Sequence, residues 1–385
     1  MTRKYYFDNS QGNRNFYSIL QEAETLSAVT PLGSSSLFQK YLNILDPGAE
    51  VVTTPDTDAI VLVELNNHIS PPIIDYLLDK IAITDNTIFV SMTETIFAAD
   101  EYSQRYGLKI ITMPVMRDTA NVKNLALIQP FLISPDLYPS VPAIENTGPR
   151  DYLFLNLNRR ASSSRIAMHA ALDIKKLIST KPYVVRDPTR GLVSMHWVKE
   201  STDFDSHEIS TDSQIMARAM ELSEIAEVKT IPIHRVRTEY AHWKFKKSHH
   251  FPRWYSDTWF SLVTESTAKS HYVSKPCLSE KVVIPMLIGH PFLLYADNGS
   301  IKLLQDLGFD TFDWLFDHSY DTELDPEIKL KSIVRQIKNF SITNALEQVD
   351  RINEAVKFNR DHCRSDTVRQ AVSAEWVSAI EELTS

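Results

Sequence analysis

At 385 residues the chain is longer than one ordinary core and suits two domains. With 43% hydrophobic and 23% charged residues and no apolar run of bilayer-spanning length, it reads as a folded protein with no membrane partner. The two cysteines, Cys277 and Cys363, exclude a disulfide framework and a cysteine-rich zinc site. They fit a reducing compartment, so a cytoplasmic protein is expected, and a net charge of −9 argues against whole-surface attraction to nucleic acid while leaving local basic grooves open.

The opening "MTRKYYFDNSQGNRNFYSIL" has a basic start but no apolar stretch or cleavage site of signal-peptide type. Strand and helix patterns then alternate. "DAIVLVEL" (58–65) has strand length and β-branched character, and the turn "NNHISPP" leads into an amphipathic "IIDYLLDKIA". "NTIFVSM" (86–92) is a second strand, "TETIFAADEYSQRYG" a helix stopped at Gly107, and "LKIITMPV" (108–115) a third strand. Such alternation predicts a parallel sheet covered on both faces.

The stretch 135–150 carries four prolines and a glycine without periodicity, and the domain boundary is placed there. "DYLFLNLN" (151–158) opens a second half, followed by a helix in "RRASSSRIAMHAALDIKKLI" whose first turn Ser162 to Ser164 are expected to cap. Residues 199–227 are acidic and polar, an insertion or a solvated helix pair. From 259 the rhythm resumes: "WFSLVTES" as strand, "LSEKVVIPMLI" as helix, "PFLLYA" as strand and "SIKLLQDLG" as helix. Beyond about 325 the pattern is helical. The expected layout is thus 1–145, 150–345 and a helical 346–385 that covers the second sheet or returns to the first domain.

In open α/β sheets ligands bind beyond the carboxyl ends of the strands, where helix N-termini offer amides and positive partial charge. "CLSEKVVIPMLIGHPFLLYA" (277–296) sets Glu280 and Lys281 at such a helix start. Nine glycines and no G-x-G-x-x-G or Walker pattern mean that a phosphate would have to be held by side chains, and they argue against a dehydrogenase. Lys281 can neutralise a phosphate and Glu280 can accept from ribose hydroxyls. The plainer alternative is that Glu280 only favours the helix dipole and Lys281 is solvated.

The stretch 259–321 resembles the C-terminal half of GT-B glycosyltransferase-like proteins, many of them phage-encoded, with an element related to the Thr-Glu-Lys of fucosyltransferases. The residues carrying the resemblance are Val263, Thr264 and Glu265, then Glu280 and Lys281, Pro291 and Phe292, Gly308, Phe309, Thr311 and Phe312, and Asp317, Ser319, Tyr320 and Asp321. Ser279 replaces the threonine and keeps its hydroxyl. "LFLNLNRRASSSR" (153–165) is similar to the family's opening of its second domain. What the resemblance implies is an α/β fold of two Rossmann-like domains facing a cleft, with a helical C-terminal segment. It also implies that Arg159, Arg160 and Arg165 hold a nucleotide diphosphate, as guanidinium forks suit phosphate oxygens. Otherwise these are basic residues on a helix surface.

A nucleotide-sugar transferase must stabilise charge on the leaving diphosphate and take a proton from the attacking hydroxyl. Arg159, Arg160, Arg165 and Lys281 are assigned the first task, with Glu265 and Glu280 on ribose or sugar hydroxyls. No metal and no permanently bound cofactor is expected; the donor is itself a substrate. The triplets "DTD" (56–58) and "DFD" (203–205) lack the strand-end context of a metal pair. For the base, Glu64 ranks first among Glu64, His68, Glu94 and Asp118, all at the carboxyl edge of the first sheet; each can equally be a loop residue capping the next helix.

The densest basic and aromatic stretch is "HRVRTEYAHWKFKKSHHFPRWY" (234–255). Arg235, Arg237, Lys244, Lys246, Lys247 and Arg253 can follow a phosphate backbone, and Trp243 and Trp254 can stack on a flipped base. This suits an acceptor such as a hydroxymethylated pyrimidine in phage DNA. The alternatives are a carbohydrate acceptor, aromatics that belong to the core, or a non-catalytic sugar- or nucleic-acid-binding relative. Its histidines lack the partners of a zinc site.

Overall fold

The computed structural model describes residues 4–7, 46, 49–52, 60–65, 85–91, 99–112, 122–124, 144, 148–158, 162–178, 187–196, 212–224, 227–229, 254–265, 268, 276 and 278–385. By its internal contacts the chain forms two compact units, residues 1–134 together with 369–385, and residues 135–368.

In the first unit, β1 (Lys4–Phe7), β2 (Glu50–Val52), β3 (Ile60–Leu65), β4 (Thr87–Ser91), β5 (Lys109–Thr112) and β6 (Val122–Asn124) form a sheet in the order β2-β1-β3-β4-β5-β6. Every pairing is parallel. Ile88, Phe89, Val90, Ile110 and Ile111 are buried, as expected of strands covered on both faces. Helix α1 (Ala99–Tyr106) ends at Gly107, whose φ of 68° is the left-handed stop the sequence signals. The helix expected over "IIDYLLDKIA" lies outside the described residues.

The second unit holds β7 (Tyr152–Asn158), β8 (Leu192–His196), β9 (Glu227–Lys229), β10 (Thr258–Thr264) and β11 (Phe292–Tyr295), in the order β11-β10-β7-β8-β9. All its pairings are parallel except β8 with β9, which is antiparallel. Strands β10 and β11 are buried along their whole length, which is why they read as continuous apolar runs. Phe154, Phe260, Phe316 and Phe340 pack on one another, stacked, tilted or edge-on, at centroid separations of 5.0 to 6.1 Å.

Helix α2 (Ser163–Ile174) follows β7. Its N-cap, Ser162, makes no side-chain capping bond; the hydroxyls of Ser162 and Ser164 lie 3.1 Å apart and bond each other instead, so the expected cap is corrected. The described part of the acidic stretch 199–227 holds helix α3 (Ser213–Glu224), which is not simply solvated. Ile215, Ala219 and Leu222 are buried, it packs on α2, and Arg218 Nε reaches Asp173 Oδ2 at 2.7 Å.

Helix α4 (Glu280–Ile288) precedes β11 and α5 (Ser300–Asp306) follows it. A short 3-10 turn (Ser319–Thr322) leads to α6 (Pro326–Asn339), α7 (Ile342–Glu347), α8 (Val349–His362) and α9 (Asp366–Thr384). On α9 the residues Val372, Trp376, Ala379, Ile380 and Leu383 form one buried stripe at helical spacing. Lys123 on β6 pairs with Glu382 on α9 at 2.6 Å.

Candidate functional site

Strand β7 is the first strand of the second sheet in the chain yet lies at its centre, with β8 on one side and β10 on the other. The strand order therefore reverses at the β7–β10 boundary, the place where an open parallel sheet leaves a crevice beyond its carboxyl ends. Four chain segments meet at those ends: the last residues of β7, the residues after β10, the N-terminus of α2 and that of α4.

Glu265, one residue past β10, is 2% exposed. Its Oε1 accepts the Ser279 N–H at 3.0 Å and its Oε2 the Ser279 hydroxyl at 2.5 Å. Lys281 Nζ lies 3.4 Å from Glu265 Oε2 and donates to Ser279 Oγ at 2.8 Å. Ser279 is the N-cap of α4, and its oxygen also accepts from the Lys281 amide at 3.3 Å. One serine hydroxyl thus joins the cap, the carboxylate and the ammonium. Both oxygens of Glu265 are turned to α4, so its first role is to fix the start of that helix against the end of β10.

Arg165, 3% exposed in the first turn of α2, reaches the same place: its Nε donates to the Thr264 carbonyl at 3.2 Å. Arg165 and Lys281 are therefore both tied to the Thr264–Glu265 corner, one from each helix. Glu280 is the first residue of α4.

Beside them runs an amide network that sequence reasoning passed over. Asn156 and Asn158, two apart on β7, face the same side of the sheet. Asn156 Nδ2 donates to Leu262 O at 2.6 Å and to Thr264 Oγ1 at 3.0 Å, and Asn158 Nδ2 donates to Asn156 Oδ1 at 2.7 Å. Asn158 Oδ1 is buried and has no hydrogen-bond partner among the described residues. The signal in the sequence was two asparagines inside a strand that is otherwise apolar, overshadowed by the arginines that follow.

Residues of the resemblance, and Lys329 beyond it, support the frame. Asp321 accepts the amides of Ile301 and Lys302, both at 3.1 Å, and so caps α5 from a distance. Asp317 accepts the Ser319 amide at 2.9 Å, a bond that holds its carboxyl below the usual range. Phe312 is fully buried, edge-on to Phe292 at 5.3 Å. Lys329, fully buried on α6, donates to Ala296 O and Asn298 Oδ1, both at 2.6 Å, just past β11. Burial lowers its pKa to about 8 against the raising effect of Asp321 and Asp297.

Of the base candidates, Glu64 lies in β3 near its carboxyl end, in register with Val90. His68, Glu94 and Asp118 lie outside the described residues, as do Arg159, Arg160, Arg235, Arg237, Trp243, Lys244, Lys246, Lys247 and Arg253. Trp254 is described, and it is 8% exposed in the turn before β10, at the amino edge of the second sheet. Its indole is part of the packing at that edge, away from the strand ends where the cations gather. Among the described residues no group of three or more His, Cys, Asp or Glu side chains is placed to hold a metal ion. No helix among them is long and apolar enough to cross a membrane.

The class defined by these observations is a mixed α/β protein with parallel sheets and a helical C-terminal part. No family model matches the chain, and no curated protein matches it. Among solved structures it is similar to an α1,3-fucosyltransferase in its crystal form, with 10% identity over 96% of this chain and 92% of that one and a TM-score of 0.35.

Proposed function

We propose that the chain is a glycosyltransferase of the GT-B type, moving a sugar from a nucleotide-diphosphate donor to an acceptor hydroxyl. The observation that carries the reading is the attachment of Arg165 and Lys281, from two helix starts, to the single corner Thr264–Glu265 at the carboxyl end of β10. Cations held there replace the glycine-rich amide cradle that the sequence lacks.

In the reaction the acceptor oxygen attacks the anomeric carbon while the bond from that carbon to the diphosphate oxygen breaks, and the nucleotide leaves with the electron pair. Arg165 and Lys281, with Arg159 and Arg160 next to β7 in the chain, offset the charge that grows on the diphosphate. The donated positive charge of these side chains makes a metal dispensable in this scheme. The acceptor proton passes to a carboxylate, with Glu64 the first candidate. Glu265 holds Lys281 in place, and Glu280 takes the ribose or sugar hydroxyls. On the acceptor side the basic and aromatic residues from Arg235 to Arg253 favour a hydroxymethylated pyrimidine in DNA, as in phage genomes.

The test is to incubate the full chain with a panel of nucleotide sugars and then with hydroxymethylated DNA or a glycan mixture, reading donor loss and acceptor mass by mass spectrometry. Gain of a sugar by DNA supports the whole proposal; gain by a glycan keeps the transferase and removes the DNA acceptor. Arg165→Ala and Lys281→Ala should each weaken donor binding by roughly 10- to 100-fold, the range of a lost charge-assisted hydrogen bond. Unchanged affinity in both variants would sink the reading.

A further inference from the structure

The amides of Asn156 and Asn158 have only one consistent orientation. The Leu262 carbonyl can only accept, so the group that Asn156 presents to it at 2.6 Å is the NH2. The Asn156 oxygen is therefore the atom facing Asn158, which must answer with its own NH2 at 2.7 Å. Asn158 Oδ1 is left over by this relay, committed as an acceptor and unable to exchange places with its nitrogen. It is buried without a partner among the described residues, on a residue 3% exposed.

A buried acceptor with nothing to accept is destabilising, and native folds keep few of them. This one ends β7 at the point where the strand order reverses, beside Thr264, whose carbonyl holds Arg165 and whose hydroxyl accepts from Asn156. In such a crevice the diphosphate lies at the helix starts and the nucleoside over the strand ends. A carbonyl oxygen repels phosphate oxygens and needs an O–H or N–H.

We propose that Asn158 is a specificity-determining binding residue whose side-chain oxygen accepts from a hydroxyl or N–H of the donor's nucleoside, either ribose or base, while contributing nothing to the diphosphate. The proposal rests on the nucleotide-sugar reading above and adds to it which chemical group is recognised at the centre of the sheet.

The experiment is calorimetric titration of the full chain with inorganic pyrophosphate and with guanosine, uridine and adenosine diphosphates. The tightest of these is then compared with its 2′-deoxy, 3′-deoxy and base N-methyl analogues. In the wild type, one analogue should bind about tenfold more weakly than its parent. In Asn158→Ala the parent should weaken about tenfold, the penalty of that same analogue should vanish, and pyrophosphate should bind as in the wild type. Lys281→Ala should weaken pyrophosphate and nucleotide alike. Equal weakening of pyrophosphate and nucleotide in Asn158→Ala would mean a general structural effect and overturn the proposal. So would unchanged nucleotide binding in that variant, or wild-type binding indifferent to every analogue; in either case the transferase reading stands. Should Asn158→Ala not fold, the wild-type analogue series decides alone. Failure of the wild type to bind any nucleotide would overturn both readings.

Discussion

A Cβ placed on Gly191 would lie 2.3 Å from Phe154 Cζ and 2.4 Å from its neighbours in the ring. Gly191 precedes β8 and Phe154 is fully buried on β7, so the glycine is where the chain passes across the face of a core aromatic. Gly191→Ala is expected to cost about 1–3 kcal/mol by overpacking, read as a lower urea midpoint, with part recovered on adding Phe154→Leu. His290 makes a second residue-scale prediction. Its Nε2 faces the Thr258 carbonyl at 2.9 Å and so carries the proton, leaving Nδ1 to accept from Ser261 at 2.8 Å. Burial first, with Arg150 adding to it, holds this neutral ring at a pKa of about 3, against the raising effect of the Thr258 carbonyl. The folded pKa lies below the unfolded value near 6.5. The stabilisation is therefore full above pH 6.5 and is lost as pH falls toward 3. His169, held at about 4 chiefly by burial, acts in the same direction. The melting temperature should fall on acidification from pH 6.5 to 4, and less steeply in His290→Gln than in the wild type; equal slopes would remove the assignment.

At the scale of elements, α4 carries a heavy load on one hydroxyl. Ser279 is fully buried, caps the helix, and satisfies Glu265 and Lys281 at once. Ser279→Ala removes a cap worth about 1 kcal/mol and strips a partner from a buried carboxylate at a further cost of about 1–3 kcal/mol. The expected loss is about 2–4 kcal/mol by urea titration together with weaker donor binding, whereas Ser279→Thr keeps the hydroxyl and should retain most of both. The same elements explain what was legible in the sequence. Strands β3, β4, β5, β7, β10 and β11 could be read because strands of a parallel sheet leave long apolar runs. Strands β6 and β9 each span three residues, and β9 pairs antiparallel at the edge, so neither leaves a periodic trace. In the stretch 199–227, expected as an insertion or a solvated helix pair, the polar residues of α3 hide the spacing of the buried Ile215, Ala219 and Leu222. In the site, the capping serine and the lysine were legible from their place at a helix start. The partner of Glu265 and the relay through Asn156 were not, because both depend on which strands become neighbours.

For the whole molecule, the chain's last helix belongs to its first unit. The stripe Val372, Trp376, Ala379, Ile380 and Leu383 is buried, and the Lys123–Glu382 pair fastens the helix to β6. A chain ended at residue 368 would lack the segment that completes the first unit. Hydrogen exchange should then show lost protection in β3, β4 and β5 while β7, β10 and β11 stay protected. Uniform loss, or none, would contradict the division into units.

The same arrangement orders events on the ribosome. All of residues 135–368 are made before the segment 369–385 that completes the first unit. At about 5–20 residues per second, the earliest-made strands wait many seconds for their final helix, while the later-made sheet has its entire complement of chain in hand. Synthesis therefore runs in one direction and completion in the other, and the exposed interval falls on the half that was translated first.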